Sequence, residues 1–172
     1  MKKPLLLAGL TAVSLLMNVC SAKANIGDTL TQSNARHGEP WRQQGNLYYY
    51  FTGGYLIGEL VSPSTGAVEY IEYTKGKGVI DQDERDTIIR ENLPAYYLSS
   101  EHWRVQVDHR GNNSKDNAKM LVSIDNKYAL ETGWDVQAGD WCNSYLSIST
   151  PVGYREMMPL KAQADLNRGN KQ

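Results

Sequence analysis

A thiol, two imidazoles and nearby carboxylates are the side chains that could support nucleophilic catalysis: Cys142, His102, His109, Asp108 and Asp140. A catalytic thiolate needs an adjacent base that a third group orients. The two histidines are an odd number of residues apart in one predicted strand, so they would point to opposite faces and share no base or metal position. The residues around Cys142 match no local signature of a cysteine hydrolase, so we expect no catalytic residue.

Cys142 is expected to be structural. The other cysteine, Cys20, lies in a predicted leader, so the mature chain would hold one thiol and no internal disulfide. Cys142 would lie on the same face of its strand as Leu146 and Ile148, which predicts burial and a raised pKa of the thiol. The negative charge of the flanking Asp140 also disfavours a thiolate. A free thiol and an intermolecular disulfide both remain open.

An acidic run, DQDERD at residues 81–86, could be imagined as a cation site. Its spacing does not match a calcium-binding loop, whereas Asp81 followed three residues later by Glu84 resembles a helix capping box. The chain also lacks the phosphate-binding loop and the zinc-protease and serine-hydrolase motifs. We therefore expect no cofactor and no metal.

Residues 1–24 read as a secretory signal peptide. Lys2 and Lys3 precede an apolar run over residues 5–17, and Ala22-Lys23-Ala24 is a cleavage signal. The run is short for a membrane span. We predict cleavage before Asn25 and a periplasmic or secreted protein, with a lipidated Cys20 or a retained anchor as the alternatives.

The predicted mature chain is mildly acidic. Removing three lysines with the leader leaves 15 basic against 19 acidic residues, a net charge of −4. A nucleic-acid partner would favour a basic stripe, so we expect none. We also expect no membrane span after cleavage. A protein partner in the cell envelope fits this composition, and the oligomeric state is open.

Three runs rich in tyrosine and β-branched residues predict strands at residues 46–52, 55–62 and 67–74. A Gly-Gly pair and a Pro-Ser-Thr-Gly turn separate them, which predicts an antiparallel meander. Tyr48, Tyr50 and Tyr55 form a possible binding surface, because aromatic side chains on a sheet suit a sugar or a partner protein. Ordinary packing is the alternative interpretation of the three tyrosines.

Two short helices are predicted to pack on this meander. Residues 28–37 begin at Asp28 or Thr29 as the N-cap and end before Gly38 and Pro40. Residues 81–92 form the second helix, which ends before Pro94. The fold class is therefore α+β, an antiparallel β-meander with two short helices packed on it.

The C-terminal half is expected to be a more irregular, β-rich region. Strands are predicted at residues 102–109, 119–125, 127–132 and 141–150, and residues 161–172 form a polar, flexible tail. We predict one domain over residues 25–160, with a module core at 27–104 and a β-rich extension at 105–160.

The order of helix, Ala35-Arg36-His37-Gly38-Glu39-Pro40, meander and second helix resembles a group of small exported bacterial proteins. Those proteins carry an Arg-Tyr-Gly-x-Pro turn after the first helix and a Trp-bearing strand after the second, where Trp103 stands here. His37 departs from that tyrosine. The module is more loosely similar to SmpA/OmlA-type and β-lactamase-inhibitor-like envelope modules, although in SmpA/OmlA proteins both helices precede the sheet. The resemblance implies an interaction module and carries over no catalytic residue.

Three functions follow from these features. The first is a non-catalytic interaction or structural module of the cell envelope. The second is an inhibitor or immunity-type binder of a hydrolase, and the third is a thiol-dependent hydrolase that uses Cys142.

Overall fold

The structure is a computed structural model that describes residues 25–75, 78–108, 118–135 and 142–169. The predicted signal peptide lies outside these residues. The described part is α+β, with three helices and one eight-stranded antiparallel sheet. In chain order the elements are α1 (Leu30–His37), β1 (Arg42–Gln44), β2 (Leu47–Thr52), β3 (Tyr55–Val61), β4 (Val68–Lys75), α2 (Gln82–Asn92), 3₁₀ turns Ala95–Leu98 and Ser100–His102, β5 (Trp103–Asp108), β6 (Ala118–Ser123), β7 (Ala129–Asp135), β8 (Cys142–Ser149) and α3 (Pro151–Gly169).

The predicted meander is confirmed in β2, β3 and β4, which pair in antiparallel register. Gly53 and Gly54 form the first turn with φ of +59° and +85°, a backbone conformation that glycine adopts without a steric penalty. The sequence missed β1, an exposed strand of three polar residues that pairs with β2. Its pairing comes from the position of the chain beside β2, because its composition carries no strand signal.

Both predicted helices form, and their caps are local. Thr29 and Gln32 make a reciprocal capping box at the start of α1. Asp81 and Glu84 make the same arrangement at the start of α2, where the Glu84 backbone N–H donates to Asp81 Oδ1 at 2.9 Å. Each box satisfies two helix N–H groups that have no partner within the helix.

The expectation of an irregular C-terminal half is wrong. Strands β5 to β8 form a second regular meander, and the turn before β7 contains Asn126 at φ +58°. A register shift in β5 between Val105 and Val107 interrupts the predicted alternation, and Val105 is exposed. Edge strands tolerate such shifts because one side has no ladder to preserve.

The two meanders join through β4 and β8, so the sheet order is β1-β2-β3-β4-β8-β7-β6-β5. Ile71 pairs with Ile148 and Tyr73 pairs with Leu146 across this junction. All four side chains are buried. The two halves therefore share one apolar core, which is covered on this face by α1 and α2.

Helix α3 covers the opposite face near β4, where Met157 packs with the buried Leu47, Leu60 and Tyr70. A Cβ placed on Gly153 would lie 1.9 Å from the Glu69 carbonyl oxygen, so only glycine permits this close approach. The sequence prediction had no such helix and placed residues 161–172 in a flexible tail. The structure continues α3 through residue 169, and residues 170–172 lie outside the described part.

Candidate functional site

The three tyrosines proposed as a binding surface do not form an exposed platform. Tyr50 is 1 % exposed, its hydroxyl donates to Asn34 Oδ1 at 2.9 Å, and burial raises its pKa well above the usual value. Tyr48 is half-buried and accepts a hydrogen bond from Gln43. Tyr55 is half-buried against the edge of Tyr73 and borders a shallow depression of about 420 Å³. Because α1 and α2 lie over this face, little tyrosine surface is left for a partner.

A buried histidine–glutamate pair lies beneath α1 and was not anticipated from the sequence. The His37 Nε2 and Glu59 Oε1 atoms are 3.3 Å apart, and both side chains are fully buried. Neither side chain has an aligned hydrogen-bond partner, and the His37 ring packs on Tyr50 at 5.0 Å between centroids. Both side chains are closed off from solvent between α1 and the sheet. We therefore interpret the pair as an interaction that holds α1 on the sheet.

The residues considered for thiol chemistry are not brought together where the structure describes them. Cys142 begins β8, while His102 directly precedes β5, and β7 and β6 lie between these strands. Three strand spacings correspond to roughly 14 Å. The His102 ring instead stacks on Tyr96 at 3.8 Å between centroids. His109, Asp140 and the side chain of Cys142 lie outside the described part of the chain. The burial and low reactivity of Cys142 therefore stay predictions.

A groove of about 560 Å³ lies between α2 and the face of the second meander. Leu121, Leu130 and Leu146 form its floor on β6, β7 and β8. Ile89 of α2 lines one side, and Val105 lines the side formed by the edge strand β5, with 57 % of its surface exposed. This volume falls within the range of about 300–1,000 Å³ in which small-molecule sites occur.

Cations outnumber carboxylates in the lining of this groove. Arg85, Arg90 and Lys119 contribute three positive charges and Asp86 one negative charge. The Asp86 carboxylate accepts two hydrogen bonds from Gln82 at 2.8 and 3.0 Å and lies 3.5 Å from an Arg85 nitrogen. The Arg85 Nε atom is buried and has no hydrogen-bond partner. The groove therefore combines an apolar floor with donors that favour an anion.

Two further exposed apolar side chains, Trp41 and Phe51, lie at the other end of the sheet, and we call this region the Trp41/Phe51 corner. Trp41 is 65 % exposed and Phe51 is 66 % exposed. The Trp41 backbone N–H donates to the Tyr49 carbonyl at 2.8 Å, which places Trp41 at the start of the edge strand β1. Neither exposure is predictable from the sequence, because Trp41 precedes a polar strand and Phe51 shares the strand face of the buried Leu47.

A polar cluster on the α3 face holds that helix on the sheet. Lys161 of α3 lies 3.7 Å from Glu72 and 3.6 Å from Glu131, above the rings of Tyr70 and Tyr145. The Tyr145 hydroxyl donates to Glu131 at 2.7 Å. Every member has a partner within the cluster, so the arrangement is complete without a ligand.

Comparison of the chain with known protein families, curated proteins and solved structures finds no match. Within the described ranges no group of three or more histidine, cysteine, aspartate or glutamate residues is placed to hold a metal ion. No helix in that part of the chain is both long and apolar enough to cross a membrane.

Proposed function

We propose that this protein is an exported, non-catalytic interaction module that binds a protein partner in the cell envelope. The proposal is supported chiefly by the Trp41/Phe51 corner, which holds the two most exposed large apolar side chains among the described residues, Trp41 directly before the edge strand β1 and Phe51 on the neighbouring strand β2. Tryptophan is enriched at the energetic centres of protein interfaces because it buries a large rigid surface at low entropic cost.

The edge strand β1 adds a backbone component to this surface. Its three residues, Arg42, Gln43 and Gln44, are all exposed, and in the described sheet β1 pairs on one side only. An open edge presents backbone N–H and C=O groups that a partner segment pairs with. The short polar strand limits self-association, while the flanking aromatic residues supply apolar contact area.

The proposal that the protein is exported is supported by Ala22-Lys23-Ala24, a cleavage signal, and by the apolar run before it. Intact mass of protein recovered from the periplasm or medium should correspond to a chain that begins at Asn25. A mass that includes Met1 or a lipid on Cys20 would contradict this part of the proposal.

The partner surface is tested by replacing both aromatic residues. Mature protein carrying Trp41→Ala and Phe51→Ala should lose the partners that wild-type protein retains from envelope extract, because the apolar contact area is removed. The matched control is Ile124→Ala with Met158→Ala, which removes two exposed apolar side chains elsewhere. Equal retention by both double variants would overturn the assignment of this surface.

An inhibitor or immunity-type binder is the second form of this proposal, and the same corner supports it. If the retained partner is a hydrolase, the mature protein should abolish its activity at a 1:1 ratio, and the Trp41→Ala and Phe51→Ala variant should not. A hydrolase that binds and stays fully active would exclude inhibition and leave the interaction module.

A further inference from the structure

We infer that the groove between α2 and the second meander is a binding site for a single-chain amphipathic anion, a carboxylate with an unbranched hydrocarbon tail. This site is separate from the Trp41/Phe51 corner, at the opposite end of the sheet.

The tail of such a ligand matches the floor of the groove. Leu121 and Leu130 are register partners on β6 and β7, and Leu146 on β8 lies diagonally opposite Leu130, because its own partner is Thr132. Leu130 and Leu146 are already buried, so the apolar surface open to a ligand comes from the half-buried Leu121 and from Val105 and Leu98, which are 57 % and 43 % exposed. Covering this surface is favourable in proportion to the apolar area removed from water.

The charge of the groove selects the head group. Among the lining residues the charges sum to +2, from Arg85, Arg90 and Lys119 against Asp86. Asp108 is the register partner of Lys119, so the two arginines carry the excess positive charge. Arginine presents a planar set of donors that matches a carboxylate. A cationic head at this place would be repelled.

Arg85 is the principal anchor. Its Nε atom is buried without a hydrogen-bond partner, which is costly for a charged donor. Its nearest carboxylate, Asp86, is 3.5 Å away and already accepts two hydrogen bonds from Gln82. The Arg85 side chain as a whole is 33 % exposed and lines the groove, so a ligand carboxylate there can accept from the exposed part of its guanidinium.

The size of the groove limits the ligand to one chain. A volume of about 560 Å³ lies in the middle of the range for small-molecule sites, and Val105 of the edge strand β5 lines one side of the groove. A monomeric fatty acid of medium length therefore fits the site better than a folded domain or a two-chain lipid.

Isothermal titration calorimetry on the mature protein tests the site with dodecanoate below its micelle concentration. We expect 1:1 binding, with at least tenfold weaker binding of dodecyltrimethylammonium, which has the same tail and the opposite charge. Hexanoate should also bind more weakly because it covers less of the floor. Absence of dodecanoate binding, or equal affinity for both dodecyl compounds, would overturn the inference.

Two variants locate the site, each with a matched control. Arg85→Gln should weaken dodecanoate binding about tenfold, the effect of losing one charge-assisted hydrogen bond. Arg155→Gln, an exposed arginine on α3, should leave it unchanged. Val105→Glu should abolish binding, whereas Ile124→Glu, which is equally exposed outside the groove, should not. Undiminished binding by Val105→Glu would place the ligand elsewhere and contradict the inference.

Discussion

The two halves of the sheet have the same order of elements and different packing. Each runs from a helix into four antiparallel strands, α1 with β1–β4 and α2 with β5–β8, and their fourth strands meet at the centre. Helix α1 lies over β2 and β3, where the Tyr50 hydroxyl donates to Asn34 and Glu59 lies 3.3 Å from His37. Helix α2 instead lies over β4 and β8, with Asn92 hydrogen-bonded to Tyr73. The outer strands of the second half therefore remain open.

This difference shows how one topology yields both a closed core and a groove. The first half fills the space beneath its helix with large side chains and a buried polar pair. In the second half, the shift of α2 towards the centre leaves Leu121 and Val105 without a helix above them. A filled core stabilises the first half, whereas the groove in the second half leaves apolar surface open.

The largest expected effect comes from the buried pair that holds the first half closed. Glu59→Leu should lower the free energy of unfolding by about 3–5 kcal/mol, because removing one member of a buried pair leaves the other without compensation. Urea unfolding followed by circular dichroism measures this. The double variant His37→Leu and Glu59→Leu should recover much of the loss. Additive losses in the double variant would mean that the two side chains do not act as a pair.

Two neighbouring residues of α2, Ile88 and Ile89, face the apolar core and the groove respectively. Ile88 is buried in the core, whereas Ile89 is half-buried and lines the groove. Ile88→Ala should cost about 2–5 kcal/mol, the range for a core truncation. Ile89→Ala should cost less than about 2 kcal/mol, because its side chain is only partly removed from water. Equal losses in urea unfolding would show that the groove side is packed as tightly as the core.

The smallest effect concerns acid sensitivity in the second half. Hydrogen bonds from Tyr97, then Ser123 and Lys127, lower the pKa of Asp125 to about 2. The Tyr97 hydroxyl lies 2.7 Å from the carboxylate. An aspartate in an unfolded chain has a pKa of about 3.9, so this stabilisation is complete above about pH 4 and is lost as the pH falls towards 2.

Asp125→Asn should therefore flatten the loss of stability between pH 4 and pH 2, measured as the urea midpoint at each pH. Glu39→Gln, an exposed carboxylate in the loop after α1, is the control and should keep the wild-type slope. An unchanged slope in Asp125→Asn would show that this turn does not contribute to acid sensitivity.

The local features of the fold follow from short-range patterns in the sequence. Asp81 with Glu84, Thr29, the Gly53-Gly54 turn and the strands β2 to β4 follow from interactions between residues that are close in the chain. Capping boxes and glycine turns depend on a few adjacent side chains and backbone angles, so composition and spacing are sufficient to identify them. The α+β class followed from the same signals.

Tertiary structure alone decided the pairing of β4 with β8, the docking of α3 and the position of α2. These depend on contacts between distant residues, such as Ile71 with Ile148, whose pairing no local pattern encodes. The exposure of the candidate surfaces depends on packing in the same way. Tyr50 is buried because α1 lies above it, and Val105 is exposed because no helix among the described residues covers the edge of the second meander. A side chain's alternation within a strand gives its face, but only packing of the whole chain determines whether that face is covered.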